Sequence, residues 1–361
     1  MAPSLASGQG GGELRVGALF PAASLLGDES LRGLELAVEA RGGTRLLRGE
    51  AADAAQGVAE ARRLVQQERC TLLFGSANTA VALAASQAAE ALDAIYVELA
   101  SAADALTERS ARLLVRAGPG AADFGRLAGE ALTRFLPNQL SQPVDALRVA
   151  IIHEANPSAE SIAAACESRL REDGLTVAER LAHVPRTTEM AALLQRMRAA
   201  GISVLLHAGA ESDAAALLRA LEELAWRPSA LLGLGAGWGL LDLAQAPGLE
   251  GCYAMDVPPI ASAAGWAPGA KPFAEAYQRR WGSAPRSGVS LAAFAVAKPV
   301  LAAPQRPAMG VLDLEEGTLA NGWGFRLNDR GQNLRAAPVL SQWRQGRPVA
   351  VWPPAAAFSP P

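Results

Sequence analysis

An α/β protein built as two doubly wound, mostly parallel-sheet lobes is what the sequence predicts, on three observations. Short β-rich runs alternate with amphipathic helical stretches along most of the chain. A polar stretch bounded by prolines, 137–143, breaks that rhythm, and the rhythm then restarts. Half of the 361 residues are apolar while only 5% are aromatic, so alanine and leucine must build the cores.

The elements follow in order. Leu14–Phe20 reads as the first strand. Leu31, Leu34 and Val38 then recur at helical spacing and stop at Gly42-Gly43. Asp53 and Gln56 form a capping-box pattern for a helix to about residue 68, with Val58, Ala61, Leu64 and Val65 on its buried face. Strand Thr71–Phe74, loop Gly75–Thr79 and an alanine-rich helix to Ala91 come next. Ile95–Leu99 and Leu113–Ala117 are strands, and a helix spans 122–135. Beyond the break, Arg148–His153, Leu175–Leu181, Ser203–His207, Ala230–Leu234 and Cys252–Val257 read as strands. The helices between them are capped at Ser158, marked by Met190, Leu193 and Met197, and placed at 214–225. The last third changes character: a Pro/Gly-rich loop at 258–269, then helices Phe273–Trp281 and Leu291–Leu301. Trp323–Leu327 and Leu340–Trp343 read as antiparallel strands joined by the Asn328-Asp-Arg-Gly331 turn. Residues 1–12 and 353–361 read as flexible tails.

Composition removes several function classes. A net charge of −3 with no basic run gives no footprint for nucleic acid. No apolar run reaches the ~18 residues of a membrane span. The first twelve residues lack the regions of a signal peptide, so the chain is read as cytoplasmic or as having lost an export signal. Cys70, Cys166 and Cys252 are spaced too widely for a metal motif and read as small buried apolar residues. Gly233-Leu-Gly-Ala-Gly-Trp-Gly239 fails the dinucleotide fingerprint, because the required final glycine is Trp238 or Leu240. No Walker A sequence and no nucleophile elbow occur. The three histidines, His153, His183 and His207, have no sequence-evident nucleophile or metal partner, and His153 and His207 read as strand-end residues bonded to backbone. The expectation is therefore no catalytic residue, no metal and no cofactor.

Four stretches carry a resemblance. They are Gly27-Asp28 with Gly33-Leu-Glu-Leu-Ala-Val-Glu39, and Gly75-Ser-Ala-Asn-Thr-Ala-Val-Ala-Leu-Ala84 followed by Ala105-Leu-Thr107. The others are Phe273-Ala-Glu-Ala-Tyr277 with Trp281-Gly282 and Pro285, and Trp323-Gly-Phe-Arg-Leu-Asn-Asp-Arg-Gly331. In this order, across 13–352, they resemble the type I periplasmic binding proteins, in the branched-chain amino-acid and amide-binding group. The resemblance implies a three-strand hinge between the lobes, lobe I at 13–136 plus 258–310 and lobe II at 146–257 plus 311–352. It implies hinge closure on one small molecule without catalysis. It also implies a partner: the permease of an ABC-type importer, with the protein in the periplasm, or a regulated protein if the chain is a cytoplasmic sensor.

By the same resemblance, the first lobe would contact ligand through Leu26, Asn78, Thr79, Ala100, Ser101 and Ala102. The second would do so through Glu154, Ser158, Glu211 and Trp238. Asn78 and Thr79 read equally as a helix cap. Trp238 reads as a stacking ring or as interlobe packing. Ala102 and Gly235 stand where the family's amino-acid binders tend to carry a hydroxyl and a carboxylate, which counts against a standard amino acid as ligand. Asp28, Asp104, Glu154, Glu211 and Asp213 fall in these loops and no Lys or Arg does, which disfavours a strongly anionic ligand and permits a cationic or neutral one. The same acids also suit helix starts.

Overall fold

A computed structural model of the protein describes residues 13–359 apart from 77, 110, 187 and 188. The expected tail at 1–12 lies outside the described residues. The first sheet holds β1 (Leu14–Phe20), β2 (Thr44–Glu50), β3 (Leu72–Gly75), β4 (Ile95–Glu98) and β5 (Leu114–Arg116) in the order β2-β1-β3-β4-β5. All its pairings are parallel. Helices α1 (Leu25–Arg41), α2 (Ala54–Gln66), α3 (Thr79–Glu90) and α4 (Ala105–Glu108) connect these strands.

The expected elements did not include β2. Its own residues are poor evidence for a strand, with Arg45 and Arg48 on a half-exposed edge. It forms because β1 offers a complete parallel partner, from Leu14↔Thr44 to Phe20↔Glu50.

The chain continues through α5 (Ala121–Glu130) and α6 (Leu136–Leu140) to β6 (Val149–Glu154). Then come α7 (Pro157–Glu172), β7 (Val177–His183), α8 (Met190–Ala199), β8 (Val204–Ala208), α9 (Glu211–Glu223), β9 (Ala230–Leu234) and β10 (Tyr253–Asp256). Helices α10 (Ala270–Trp281), α11 (Gly288–Ala302) and α12 (Arg306–Gly310) precede a two-stranded ribbon of β11 (Asp313–Leu314) and β12 (Phe325–Arg326). Strands β13 (Val339–Arg344) and β14 (Arg347–Trp352) finish the second sheet, ordered β14-β13-β10-β9-β8-β6-β7. The ribbon corrects the expected terminal hairpin: β12 pairs with β11, and β13 pairs with β14 and β10.

The cores show where the chain changes lobes. Ala117 packs with the first sheet, and Ala121, Phe124, Leu127 and Ala128 pack with β6, β8 and α7. Residues 121–136 therefore join the second lobe, and the expected boundary at 137–143 is about twenty residues too late. The cause is close helix packing. A β-carbon at Gly125 would lie 2.6 Å from the Ala165 carbonyl oxygen, so α5 meets α7 backbone to backbone. The chain returns between Asp256 and Val257. It crosses a third time after Ala336, because Leu319, Trp323, Phe325 and Leu327 are buried in the first core while Leu340 is buried in the second. The stretch 311–336 thus belongs with lobe I, against expectation. The C-terminal stretch is not free either: Ala356 is fully buried and Phe358 N–H donates to the Ala350 carbonyl at 2.9 Å.

Asp256 ends β10 at the second crossing, nearly inaccessible. Burial raises its carboxyl to about 7, against the pull of hydrogen bonds from the Val257 and Gly239 backbone N–H groups. A folded-state value above the unfolded ~3.9 means stability is lost as pH rises between them. Urea midpoints should therefore fall from pH 5 to pH 8, and Asp256→Asn should flatten that slope. Separately, Gly125→Ala should cost about 1–3 kcal/mol in urea unfolding. Gly265→Ala, with open space around its β-carbon, should stay within about 0.5 kcal/mol of wild type.

Candidate functional site

Strand order reverses between β1 and β3 in the first sheet and between β6 and β8 in the second. Loops leaving such strands diverge and open a crevice at the carboxyl edge. The loops concerned are those before α1, α3, α7 and α9. The carboxyl-edge loops of the two lobes meet: Leu26 and Ala236 pack on one cluster, and Ala102 packs in the second lobe's core. Asp104 N–H also points at Ser161 Oγ, 3.4 Å away.

A buried carboxylate shapes the first half of this cleft. Glu98, the last residue of β4, is fully inaccessible. Its Oε2 accepts from Ser76 N–H at 2.7 Å, and its Oε1 accepts from Ala100 and Ser101 N–H at 3.0 and 2.9 Å. Charge-assisted bonds to three amides lock both loops. They bring Thr79 and Ser101 together, with Oγ1 and Oγ 2.7 Å apart and both residues buried. Asn78 caps α3: its Oδ1 accepts from Val81 N–H at 3.1 Å, and the residue is exposed. Ala100 is half-buried, and the Ala102 carbonyl accepts from Arg116 Nη1 at 3.1 Å. Leu26 is half-buried in the first turn of α1.

The second half is organised in the same way. Glu154 Oε1 accepts from Ala210 N–H at 2.8 Å, tying the end of β6 to the start of α9 across the reversal point. Its Oε2 takes the Asn156 amide at 2.8 Å. Asn156, not Ser158, caps α7, accepting from Ala159 N–H at 2.9 Å. Ser158 and Glu211 are half-buried in the first turns of α7 and α9. On the other flank of the cleft, Arg286 of lobe I binds Asp242 of lobe II, with Nε to Oδ2 at 3.0 Å, and Leu241 N–H donates to the Arg286 carbonyl at 2.8 Å.

Comparison with known proteins agrees with this architecture. Residues 14–345 match the family described as periplasmic binding protein. The Leu/Ile/Val-binding protein homolog 7 of Brucella abortus is 36% identical over 371 residues, covering 96% of this chain and 93% of that protein. The chain belongs to the type I periplasmic binding protein family, in its Leu/Ile/Val-binding-like branch. The leucine binding protein LivK of Thermotoga maritima has the same fold, with a TM-score of 0.78 at 16% identity over 96% of this chain and 99% of that one. A solute binding protein of an ABC transporter from Rhodopseudomonas palustris, solved with 3,4-dihydroxybenzoic acid, aligns with a TM-score of 0.76 at 16% identity over 96% and 98%.

Within this periplasmic binding protein, Trp238 does not face the cleft. It is fully buried in the second lobe's core, where its carbonyl accepts from Trp343 Nε1 at 3.0 Å. Its indole Nε1 donates to His207 Nδ1 at 3.1 Å. The glycines around it are the reason it can turn inward: a β-carbon at Gly233 would fall inside the indole ring.

His207 leads to a group that sequence reasoning missed. His207 is the next-to-last residue of β8 and His183 ends β7, and both reach Asp213 Oδ2, at 2.8 and 2.9 Å. One ligand atom from each of the three lies within 4.8 Å of the others, a spacing that a metal could bridge. Donor counting assigns protons instead. An indole N–H only donates, so His207 Nδ1 accepts and the ring proton sits on Nε2, aimed at Asp213. A metal on Nε2 would need that proton gone and an acceptor where Trp238 places a donor. Burial pushes the Asp213 carboxyl up, but the bonds from His183 and His207 outweigh it and hold the group at about 2. Asp213 itself lies in the first turn of α9, directly after the loop that leaves β8. His153 matches expectation, its Nδ1 donating to the Glu154 carbonyl at 2.9 Å. The only sequence signal for the network was the pair of histidines at strand ends near an acid.

His207→Leu should cost about 3–5 kcal/mol in chemical unfolding, since it strands a buried carboxylate and an indole N–H. His207→Gln offers an amide N–H to Asp213 and an oxygen to Trp238, and should recover more than half of that loss. A zinc-dependent rise in melting temperature that His207→Gln abolishes would overturn the proton assignment.

Proposed function

We propose that the protein captures one small solute between its lobes, closes by hinge motion, and presents it to the permease of an ABC-type importer in the periplasm without chemical turnover. The observation that carries this reading is the pairing of two reversal-point crevices on one cleft. Family membership supports the same conclusion, and so does the binding-protein name of relatives that match along nearly the whole chain. Those names favour the importer reading over a cytoplasmic sensor.

The ligand we infer is neutral or weakly charged rather than a standard amino acid. Of the five acids in the cleft loops, Asp28 pairs with Arg32 at 2.9 Å, Glu154 is held by Ala210 and Asn156, and Asp213 is held by two histidines. An α-ammonium group would find few uncommitted carboxylates and pay its desolvation in full. The Thr79–Ser101 hydroxyl pair and the backbone amides at the starts of α3 and α9 suit a hydrogen-bonding group of the ligand. The relative solved with a dihydroxybenzoic acid supports a scaffold that accepts solutes other than amino acids.

A thermal-shift and calorimetric panel of leucine, isoleucine, small amides, polyols and hydroxybenzoates tests this. A ligand at 100 times its Kd should add about 2.7 kcal/mol of stability. Thr79→Ala combined with Ser101→Ala should weaken the best compound at least tenfold, and the radius of gyration should shrink on binding. Unchanged affinity in the double variant would move the site elsewhere, and conversion of the bound compound would end the binding-only reading.

A further inference from the structure

A cavity lies outside the cleft loops, at the hinge. Its volume is about 290 Å³, near the lower end of the ~300–1,000 Å³ of small-molecule sites. It takes walls from both lobes, from the second crossing and from the C-terminal stretch. Ile260 follows the crossing, Pro348 is the second residue of β14, and Phe358 lines the cavity from the C-terminal stretch. Two cations stand among the described lining residues and no Asp or Glu does. Arg286 is already paired with Asp242 in the contact between the lobes. Arg347 is exposed, and no described carboxylate forms an ion pair with its guanidinium.

We propose that this cavity is a second binding site, for a small carboxylate with a short apolar tail. The tail lies against Ile260, Pro348 and Phe358, where burial of apolar area supplies the affinity. The carboxylate meets the Arg347 guanidinium at the rim, a charge-assisted and geometrically matched pair. An amine of the same length meets two cations and no acid. The cavity thus differs from the cleft loops, which carry no Lys or Arg and whose acids are largely held by the protein itself. A molecule seated here touches both lobes and the crossing beside the Arg286–Asp242 contact. It therefore binds one lobe arrangement better than another, and by linkage it shifts affinity at the cleft in the same ratio as the cleft ligand shifts its own.

Hexanoate and hexylammonium are the probes, titrated into the full chain by calorimetry and thermal shift. Hexanoate should bind and hexylammonium should not. Arg347→Glu should weaken hexanoate at least tenfold, and Arg347→Lys should retain most of the binding. Ala284→Phe, at an exposed lining position, should fill the mouth and abolish binding. The Thr79→Ala/Ser101→Ala variant should bind hexanoate as wild type does. The proposal is overturned if wild type fails to bind hexanoate, if both Arg347→Glu and Ala284→Phe bind it normally, or if the cleft double variant loses it.

Discussion

The buried guanidinium of Arg116 holds the place where the chain first leaves its N-terminal sheet. It is 4% exposed at the end of β5, donating to the Ala102 and Ala103 carbonyls and, through Nε, to Gln332. Gln332 and Asn333, just ahead of the third crossing, donate to the Gly118 and Ala117 carbonyls at 3.0 and 3.1 Å. Two crossings distant in sequence are thus stitched side by side. Burial lowers the Arg116 pKa, with Asp104 and Asp123 opposing that pull. A cation so costly to desolvate is tolerated because carbonyls and an amide accept from its Nη1 and Nε.

The cleft is then built largely by acids that bind protein rather than ligand. Glu98 gathers three amides, Glu154 reaches across a strand-order reversal, and Asp213 collects two histidines. Glu29 does similar work behind the site, accepting from Tyr277 at 2.5 Å and from Arg286 N–H at 3.1 Å. Each fixes its neighbouring loops through carboxyl oxygens that accept from protein donors. On the proposed reading of the site, what remains for a solute is hydroxyls and backbone amides on preset loops, an arrangement that lowers the ordering cost of binding.

Charge in the loops therefore says less about the ligand than it first suggests. An acid counted from sequence as facing a cation can be spent on its own backbone. The same holds for the aromatic Trp238, whose ring the surrounding glycines allow to turn into the core, where its N–H selects the tautomer of His207.

The sequence by itself determined the repeating strand–helix rhythm and the caps at Asp53 and Asn78. These depend on neighbours a few residues away, through periodicity and local hydrogen bonds. The family stretches were legible for the same reason. Only the tertiary structure decided the lobe boundaries, the strand β2, the partner of β12 and the inward turn of Trp238. Each depends on a contact distant in sequence: Gly125 against Ala165, β2 along β1, Phe325 beside Leu314, Trp238 against His207. Local pattern cannot say which surface a helix or strand will find, and that choice separates a residue that binds solute from one that holds the protein together.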